Sequence, residues 1–250
     1  MSTIHKKAKI AYRFASGYLV EKALNPIQYN GIKIDANCGA LKTIHKARFF
    51  PYYKDNEHSI REKTLVDRYL PENKPVIEFG GGIGYISSYV NKNLEDGVTQ
   101  VVVEPNPQNI SCNKRTKNLN NCDYNLVEGA YSADNSSVEF SISPKFSMGS
   151  ADRNMSDNQI NAEGFSLSYI YQEYDLENFV LISDMEGGEF RLIGEEIEII
   201  SELVPLAIIE IHPFGKYNEE EYVNRLVSAG FEELDEISHT YAFKNTNFES

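Results

Sequence analysis

The sequence predicts an α/β fold in which a mostly parallel sheet carries helices on both faces. The first observation is a short apolar run, Val76–Phe79, that follows Pro75 and leads into the glycine-rich turn Gly80–Gly84 and then into a helical pattern. The second is that apolar runs of strand length recur along the chain and alternate with helical patterns. Such alternation is typical of a parallel sheet, and 250 residues are enough for one sheet with both faces covered.

Composition and charge exclude some classes of partner. The chain carries 24 Lys and Arg against 37 Asp and Glu, which gives a formal net charge of −13. Because nucleic-acid phosphates need a basic surface, this balance argues against a nucleic-acid partner. No run of about 18 apolar residues occurs, so the sequence predicts no membrane span.

The cysteines indicate a compartment. Cys38, Cys112 and Cys122 form an odd set without C-x-x-C spacing. This pattern argues against a disulfide framework and against a zinc site. A reducing cytosol is the simplest setting, so we expect a cytoplasmic protein.

The chain is expected to divide at residue 56. Residues 1–56 form an N-terminal extension of helix and turns, and residues 57–250 form the α/β domain. Met1–Leu24 carries five basic residues among short apolar groups, which favours a helix packed on the domain or on a partner subunit; a helix that touches a membrane surface is the alternative. Ile32–Asp35 follows a turn signal and is expected to be a short strand.

Further elements follow from hydrophobic periodicity. Asn56–Leu70 has apolar residues at roughly the helical period and stops at Pro71. Phe231–Phe243 is expected to close the sheet with antiparallel strands. The other predicted strands are Thr99–Val103, Tyr124–Val127, Val138–Ile142, Phe179–Ser183 and Pro205–Ile209, and the other predicted helices run from Phe190 to about Glu202 and from Glu219 to Ala229.

One long segment is expected to be a loop. Residues 143–163 are rich in Ser, Asn, Asp and Gly and poor in large apolar residues. This composition predicts a mobile surface loop, and in α/β enzymes such a loop often lies over the functional site.

The glycine turn indicates the kind of ligand. Glycine tolerates positive φ and lets a ligand approach the backbone, and the turn leaves unpaired N–H groups at the helix start. A dinucleotide fingerprint requires G-x-G-x-x-G, whereas Gly80, Gly82 and Gly84 give a shorter spacing. Glu78 would also lie beside a pyrophosphate. A ligand with a cation and an amino-acid head fits better, and S-adenosylmethionine is such a ligand.

Acidic residues follow the other predicted strands. Glu104 lies about 20 positions after the glycine turn, where α/β nucleotide folds hold ribose hydroxyls. Ligands of open parallel sheets bind at the carboxyl ends of the strands. The other polar residues expected at these ends are Glu128, Asp184, Glu186, Glu210 and His212.

At these residues the chain resembles the FkbM-type S-adenosylmethionine-dependent methyltransferases. The resemblance covers about residues 57–243. Its motifs are Val76-Ile77-Glu78-Phe79-Gly80-Gly81-Gly82-Ile83-Gly84-Tyr85, Val103-Glu104-Pro105-Asn106-Pro107, Ser183-Asp184-Met185-Glu186-Gly187-Gly188-Glu189-Phe190 and Ile208-Ile209-Glu210-Ile211-His212-Pro213. It implies a seven-stranded class I methyltransferase fold, and an enzyme that O-methylates a hydroxyl of a sugar, a glycan or a related small metabolite.

The resemblance also implies roles for individual residues. Glu78 and the glycines Gly80, Gly81, Gly82 and Gly84 would cradle the methionine part of the cofactor. Glu104 would hold the ribose, and Glu128 would lie near the adenine. Many family members have Gly-Ala-Asn in place of residues 80–82, and many carry a lysine just before the Asp184 motif, where this chain has Ile182-Ser183. A mechanism that needs that lysine does not carry over.

Methyl transfer to an alcohol requires a proton acceptor. Asp184 or His212 is the expected base, with Glu186 and Glu210 orienting the base or the substrate hydroxyls. In a second version Asp184, Glu186, Glu210 and His212 hold Mg²⁺ or Mn²⁺, which lowers the pKa of the substrate hydroxyl. Three other functions remain open at this point: an N-methyltransferase acting on an amine or protein, a nicotinamide-dependent oxidoreductase, and a non-catalytic binding protein with the same fold.

Overall fold

The computed structural model describes residues 25–35, 37, 57–142, 149–150, 158–213 and 218–248. Its helices are α1 (Glu57–Tyr69), α2 (Tyr85–Asn93), α3 (Pro107–Asn120), α4 (Leu167–Glu173), α5 (Glu189–Glu195), α6 (Ile197–Leu203) and α7 (Glu219–Ser228). Its strands are β1 (Ile27–Tyr29), β2 (Ile32–Ile34), β3 (Val76–Phe79), β4 (Gln100–Glu104), β5 (Asn125–Glu128), β6 (Ala130–Tyr131), β7 (Val138–Ile142), β8 (Gly149–Ser150), β9 (Gln159–Ala162), β10 (Gly164–Phe165), β11 (Val180–Ser183), β12 (Leu206–Glu210), β13 (Phe231–Ile237) and β14 (Thr240–Asn245).

Seven strands form the central sheet, in the order β13-β14-β12-β11-β3-β4-β5. Within this sheet β14 alone runs against the other strands. The strand order reverses between β3, which continues to β4, and β11, which continues to β12. A crevice opens at such a switch point, at the carboxyl ends of the strands. The predicted mostly parallel sheet is therefore confirmed.

Helices cover both faces of the sheet. On one face α4 to α7 pack against Ile77, Phe79 and Leu181. On the other face α1 to α3 pack against Val76, Val180 and their neighbours. Because alternate side chains of the central strands are buried in opposite layers, these strands appear in the sequence as continuous apolar runs. The single helix expected from Phe190 to Glu202 is interrupted and forms α5 and α6.

A hairpin of β1 and β2 precedes the domain and packs on it. Ile32 and Ile34 are buried in the same layer as Leu65 of α1. The side chain of Asn120 at the end of α3 accepts a hydrogen bond from the N–H of Lys33 at 2.9 Å and donates one to its carbonyl at 2.8 Å. The short strand predicted here is present. The helix predicted in residues 1–24 lies outside the described residues, and the division at residue 56 stays a prediction.

The segment predicted as a loop contains strands. β8 and β9 lie within residues 143–163 and pair antiparallel with β7, forming a three-stranded sheet separate from the central one. Ile160 and Ala162 pack against Phe140 of β7. These two small contacts are enough to order a strand, but too few to show as an apolar run in the sequence. The Ser150 hydroxyl donates to the Glu186 carbonyl at 3.0 Å, so this sheet lies beside the carboxyl end of β11.

One cysteine departs from expectation. Cys122 is a free thiol, whereas Cys112 on α3 is disulfide-bonded to a partner outside the described residues. A single bridge is not a disulfide framework, and the cytoplasmic location stays a prediction. In the part of the chain that the structure describes, none of the helices has the length and apolar character needed to cross a membrane.

Candidate functional site

The glycine turn joins the ends of β3 and β11. Gly80 has φ +96°, and a Cβ at this position would lie 1.8 Å from the carbonyl oxygen of Asp184. The N–H of Asp184 in turn donates to the carbonyl of Phe79 at 2.9 Å. Glycine at position 80 therefore allows Asp184 to lie directly against the turn, because any larger residue would force the two strand ends apart.

A cavity opens at this junction. Its volume is about 160 Å³, and its mouth is open to solvent. Gly80, Gly82 and Glu104 line one half of it, and Asp184 and Glu186 line the other. Three of the predicted cofactor residues and two of the four predicted catalytic residues thus line a single chamber.

Glu104 is held at the cavity by backbone and side-chain donors. Its carboxylate accepts hydrogen bonds from the N–H of Gly82 at 2.7 Å, the N–H of Asn106 at 2.8 Å and the side-chain amide of Asn109 at 3.2 Å. Burial raises the pKa of Glu104 to about 7, although these hydrogen bonds act in the opposite direction. The carboxylate is therefore fixed in position at the end of β4, and its role in holding the ribose stays a prediction.

Glu78 lies behind the glycine turn rather than in the cavity lining. It is buried and accepts hydrogen bonds from the Ser87 hydroxyl at 2.8 Å and the Gln100 amide at 3.4 Å. Burial raises the pKa of Glu78 to about 7. Gly81 and Gly84 also face away from the cavity: a Cβ at Gly81 would meet Val102, and one at Gly84 would meet Asn113.

Glu128 lies at the surface. Its side chain is 52% exposed and forms an ion pair with Lys114 of α3. The adjacent backbone at Gly129 and Ala130, rather than the Glu128 carboxylate, lines the cavity. The structure therefore does not bring this side chain together with the other predicted site residues.

Three carboxylates surround one imidazole at the ends of β11 and β12. The Nε2 atom of His212 lies 3.7 Å from Asp184 Oδ1, 3.7 Å from Glu186 Oε2 and 3.5 Å from Glu210 Oε1. We refer to Asp184, Glu186, Glu210 and His212 as the acidic cluster. All four predicted catalytic residues thus lie close together, and two of them, Asp184 and Glu186, line the cavity.

A fourth carboxylate orients the imidazole. Glu189, the first residue of α5, is fully buried and accepts hydrogen bonds from the N–H groups of Met185 at 2.6 Å and Gly187 at 2.9 Å. Its Oε1 atom also lies 3.3 Å from His212 Nδ1. This contact fixes the ring so that Nε2 faces the other three carboxylates. The sequence motif contained Glu189, but the prediction assigned it no role.

A fifth carboxylate was missed by sequence reasoning. Glu62 of α1 is 8% exposed, and its charge interacts with those of Asp184, Glu210 and His212. A signal was available, because Glu62 precedes Leu65 and Val66 by three and four positions and so lies on the apolar face of its helix. Burying a carboxylate costs free energy unless a partner compensates it, so its presence on a buried helix face indicates a functional role.

The cluster carries an excess of negative charge. Burial raises the pKa of Asp184 to about 7, with Glu186 and Glu189 adding to the shift and His212 opposing it. Burial alone would lower the pKa of His212, but the hydrogen bond to Glu189 and the neighbouring carboxylates raise it to about 10. Burial and the nearby acids raise the pKa of Glu62 well above its usual value. All three pKa values are raised, which means that the cluster favours the binding of a proton or another positive charge.

Aromatic residues form the rest of the wall. Tyr131 packs edge-on against Phe79 with ring centroids 5.6 Å apart. The Arg191 guanidinium lies over the Tyr131 ring at 5.5 Å and donates to the Tyr131 carbonyl at 3.2 Å. Phe79 and Tyr131 give the cavity an apolar side. Phe79 belongs to the glycine-turn motif, whereas Tyr131 and Arg191 lie in none of the sequence motifs.

Comparisons place the chain among known proteins. The family model of the methyltransferase FkbM domain matches residues 78–243. The chain is similar to the solved structures of a ribosomal protein L11 methylase from Lactobacillus delbrueckii subsp. bulgaricus (10% identity, TM-score 0.45, 78% of both chains covered) and of a methyltransferase from Pyrococcus furiosus (14% identity, TM-score 0.41, 96% of this chain and 98% of that chain covered). No curated protein sequence matches it. The matched family segment runs from Glu78 through the acidic cluster to β14.

Proposed function

Because the chain belongs to the FkbM methyltransferase family, we propose that it transfers the methyl group of S-adenosylmethionine to a hydroxyl oxygen of a sugar, glycan or related polyhydroxylated metabolite. The observation that carries this proposal is that Glu104 and the glycine turn share one cavity with Asp184 and Glu186. A cofactor site and a hydroxyl-binding set of carboxylates therefore face each other across a single chamber.

The glycine-turn half of the cavity fits the cofactor. Among the described residues, a Cβ at Gly82 would meet only the Gly80 carbonyl, at 4.0 Å, so the backbone is open to a ligand there. Glu104 presents a buried carboxylate to which ribose hydroxyls can donate, and that same charge disfavours a diphosphate. S-adenosylmethionine supplies an electrophilic methyl group when bound. The chain's own contribution is to align the acceptor oxygen with that methyl group, and alignment is worth roughly 7 to 11 kcal/mol.

The acidic cluster fits a hydroxyl acceptor. As the new O–CH₃ bond forms and the sulfur–methyl bond breaks, the hydroxyl proton must leave. Asp184 and Glu186 line the cavity, so one of these carboxylates takes the proton, while His212 lies 3.7 Å from an oxygen of each and holds them in place. A positioned base contributes about 10²- to 10⁴-fold to the rate.

Titration calorimetry with S-adenosylhomocysteine tests the cofactor part of the proposal. We expect saturable binding by the wild type and strong weakening in Glu104→Ala. Binding of NADH with no binding of S-adenosylhomocysteine would contradict the proposal and favour an oxidoreductase.

A transfer assay tests the reaction. Methyl-labelled S-adenosylmethionine is incubated with a panel of sugars, glycans and amines, and the linkage in the product is assigned by mass spectrometry and NMR. We expect an O-methyl product, and a rate about 10²- to 10⁴-fold lower in Asp184→Asn with S-adenosylhomocysteine affinity unchanged. An N-methyl product whose formation survives Asp184→Asn would replace the proposal with N-methylation, since a neutral amine needs no base. Cofactor binding without turnover on any acceptor would favour a binding protein.

A further inference from the structure

We propose that the acidic cluster is a divalent-cation site, in which Asp184, Glu210 and His212 supply the ligands and Glu62 supplies a nearby compensating charge. The first support is geometric. One ligand atom from each of Asp184, Glu210 and His212 can be chosen so that all three lie within 4.8 Å of one another. Two ligands that are each about 2.1 Å from a metal lie at most about 4.2 Å apart. The Nε2 atom of His212 is within that limit of Asp184 Oδ1 and of Glu210 Oε1, so a small side-chain movement brings all three atoms around one ion.

The contacts around His212 suit a ligand better than a hydrogen-bond donor. The distances of 3.5 to 3.7 Å from Nε2 to the three carboxylates are long for a charge-assisted hydrogen bond, which is about 2.7 to 2.9 Å. Asp184 Oδ1 is buried and makes no hydrogen bond in the described part of the chain. An ion between these atoms would satisfy Nε2 and Oδ1 together.

Glu62 is an independent indication. Its side chain is more than nine-tenths buried, and among the described residues it makes neither a hydrogen bond nor an ion pair, although its charge is felt by Asp184, Glu210 and His212. A buried carboxylate without a partner is costly. A cation in the adjacent cluster supplies the missing partner, whereas a sugar hydroxyl would bring no charge.

The second layer of contacts has the form that metal sites require. A ligating histidine usually donates its other ring N–H to a carboxylate, which fixes the tautomer and the ring orientation. Glu189 occupies this place, 3.3 Å from His212 Nδ1, and is itself fixed by the N–H groups of Met185 and Gly187. The arrangement directs Nε2 toward Asp184 and Glu210, and a cation that binds there displaces the Nε2 proton to solvent.

Charge balance favours the same conclusion. Five carboxylates interact with the imidazole of His212, namely those of Asp184, Glu186, Glu189, Glu210 and Glu62. A basic side chain reaches the edge of this group at Arg61, whose Nη1 lies 3.7 Å from Glu210 Oε1. The mixed set of two carboxylates and one imidazole suits Mn²⁺ better than Mg²⁺, which prefers oxygen ligands and water.

In the reaction the cation would bind the acceptor hydroxyl and lower its pKa. The proton would then pass to Glu186, which lines the cavity and is not one of the three ligands. This role rests on the proposed function, but the site itself does not, because it can be measured without cofactor or acceptor.

The test is a Mn²⁺ titration of the full chain after dialysis against EDTA, followed by the electron paramagnetic resonance signal of free Mn²⁺. We expect one saturable site per chain. Affinity should be abolished in Asp184→Asn and in His212→Gln, and should fall about 10- to 100-fold in Glu62→Gln. Glu128→Gln, which changes an exposed carboxylate, is the matched control and should bind as the wild type does. Circular dichroism confirms that each variant is folded.

Two outcomes would overturn the site: no saturable binding to the wild type, or equal affinity in the wild type, His212→Gln and Asp184→Asn. Either one leaves binding of S-adenosylhomocysteine and O-methyl transfer untouched, so the proposed function survives. Conversely, Mn²⁺ binding without methyl transfer to any hydroxyl would overturn the proposed function alone. Turnover that is unchanged by EDTA would show that the cation plays no part in the reaction.

Discussion

The two halves of the cavity hold their buried carboxylates in opposite ways. On the glycine-turn side, Glu104 in the lining accepts hydrogen bonds from two backbone N–H groups, and Glu78 behind the turn accepts them from Ser87 and Gln100. In the other half, Asp184 Oδ1 has no hydrogen-bond partner within the described ranges, and acids face one another around a single imidazole. The fold itself supplies hydrogen-bond donors to the carboxylates of the first half. The carboxylates of the second half gain a partner when a proton, a cation or a substrate binds.

This difference has a physical consequence. A carboxylate held by neutral donors in a dry environment can keep its position and still take up a proton, so Glu78 and Glu104 both have a pKa of about 7. Carboxylates packed against each other repel unless a positive charge lies between them. We therefore expect changes in the glycine-turn half to act mainly on folding and cofactor binding, and changes in the acidic cluster to act mainly on cation binding and turnover.

The largest expected effect comes from the residue where the halves meet. Gly80→Ala would place a Cβ 1.8 Å from the Asp184 carbonyl at φ +96°. We expect it to lower the free energy of unfolding by about 4 kcal/mol or more and to abolish binding of S-adenosylhomocysteine, because both strand ends must move. Urea unfolding and calorimetry measure the two effects.

A matched variant separates the contact from backbone strain. Gly31 has a similar φ of +83°, but a Cβ added at this position would meet no atom of the described residues within 4 Å. Gly31→Ala should therefore cost only about 1 to 2 kcal/mol. Equal losses of unfolding free energy in Gly80→Ala and Gly31→Ala would show that the close contact between Asp184 and the turn does not contribute to stability.

The next effect is a dependence of stability on pH that belongs to Glu78. Its pKa is about 7 in the folded protein against 4.5 for the free side chain, because burial disfavours the charge. The folded state keeps the proton that the unfolded chain releases, so this contribution is fully present below pH 4.5 and is lost as the pH rises to about 7. The loss amounts to roughly 3 kcal/mol.

Glu78→Gln isolates that contribution. Glutamine keeps the size of the side chain and removes the titration, while Glu104 titrates in the same range in both proteins. The wild type should lose roughly 3 kcal/mol more than the variant between pH 4.5 and 8, as measured by urea unfolding at each pH. Parallel curves for the two proteins would mean that Glu78 is charged in the folded state, and the contrast between the halves would weaken.

A smaller effect is expected at Glu189, which supports the acidic cluster. Glu189→Gln keeps an acceptor oxygen but turns an amide toward one of its partners, Met185 N–H, Gly187 N–H or His212 Nδ1. We expect a loss of about 1 to 3 kcal/mol in the free energy of unfolding. Glu195→Gln at the exposed end of the same helix is the control and should change stability by less than about 0.5 kcal/mol. A stable Glu189→Gln would argue that Glu189 does not fix the His212 ring.

The sequence predicted the parts of this site that depend on local pattern. Gly80 to Gly84, Glu104, Asp184 and His212 all follow apolar strands, and a parallel sheet places such residues at one edge whatever the rest of the chain does. Burial of the central strands was also predictable, because these strands appear in the sequence as continuous apolar runs.

The parts that the sequence did not predict depend on contacts between distant segments. Glu62 reaches the cluster from a helix more than a hundred positions before Asp184. β8 and β9 are ordered by pairing with β7 and not by their own composition. Glu78 points toward α2, because residues in a strand alternate between faces and the next residue, Phe79, faces the layer of α4 to α7. A motif fixes the position of a residue in the chain, but not the direction of its side chain.

The smallest expected effect is at Glu128, where the alternation of strand faces also decides the outcome. The resemblance placed this residue near the adenine, but its side chain is 52% exposed and paired with Lys114. Exposed ion pairs contribute about 0 to 1 kcal/mol. Glu128→Gln should therefore change stability by less than about 1 kcal/mol and leave the affinity for S-adenosylhomocysteine within about twofold, whereas Glu104→Ala should weaken it strongly. A large loss of affinity in Glu128→Gln would mean that the carboxylate turns into the cavity when the cofactor binds, and that the glycine-turn half is less completely formed by the fold than its hydrogen bonds indicate.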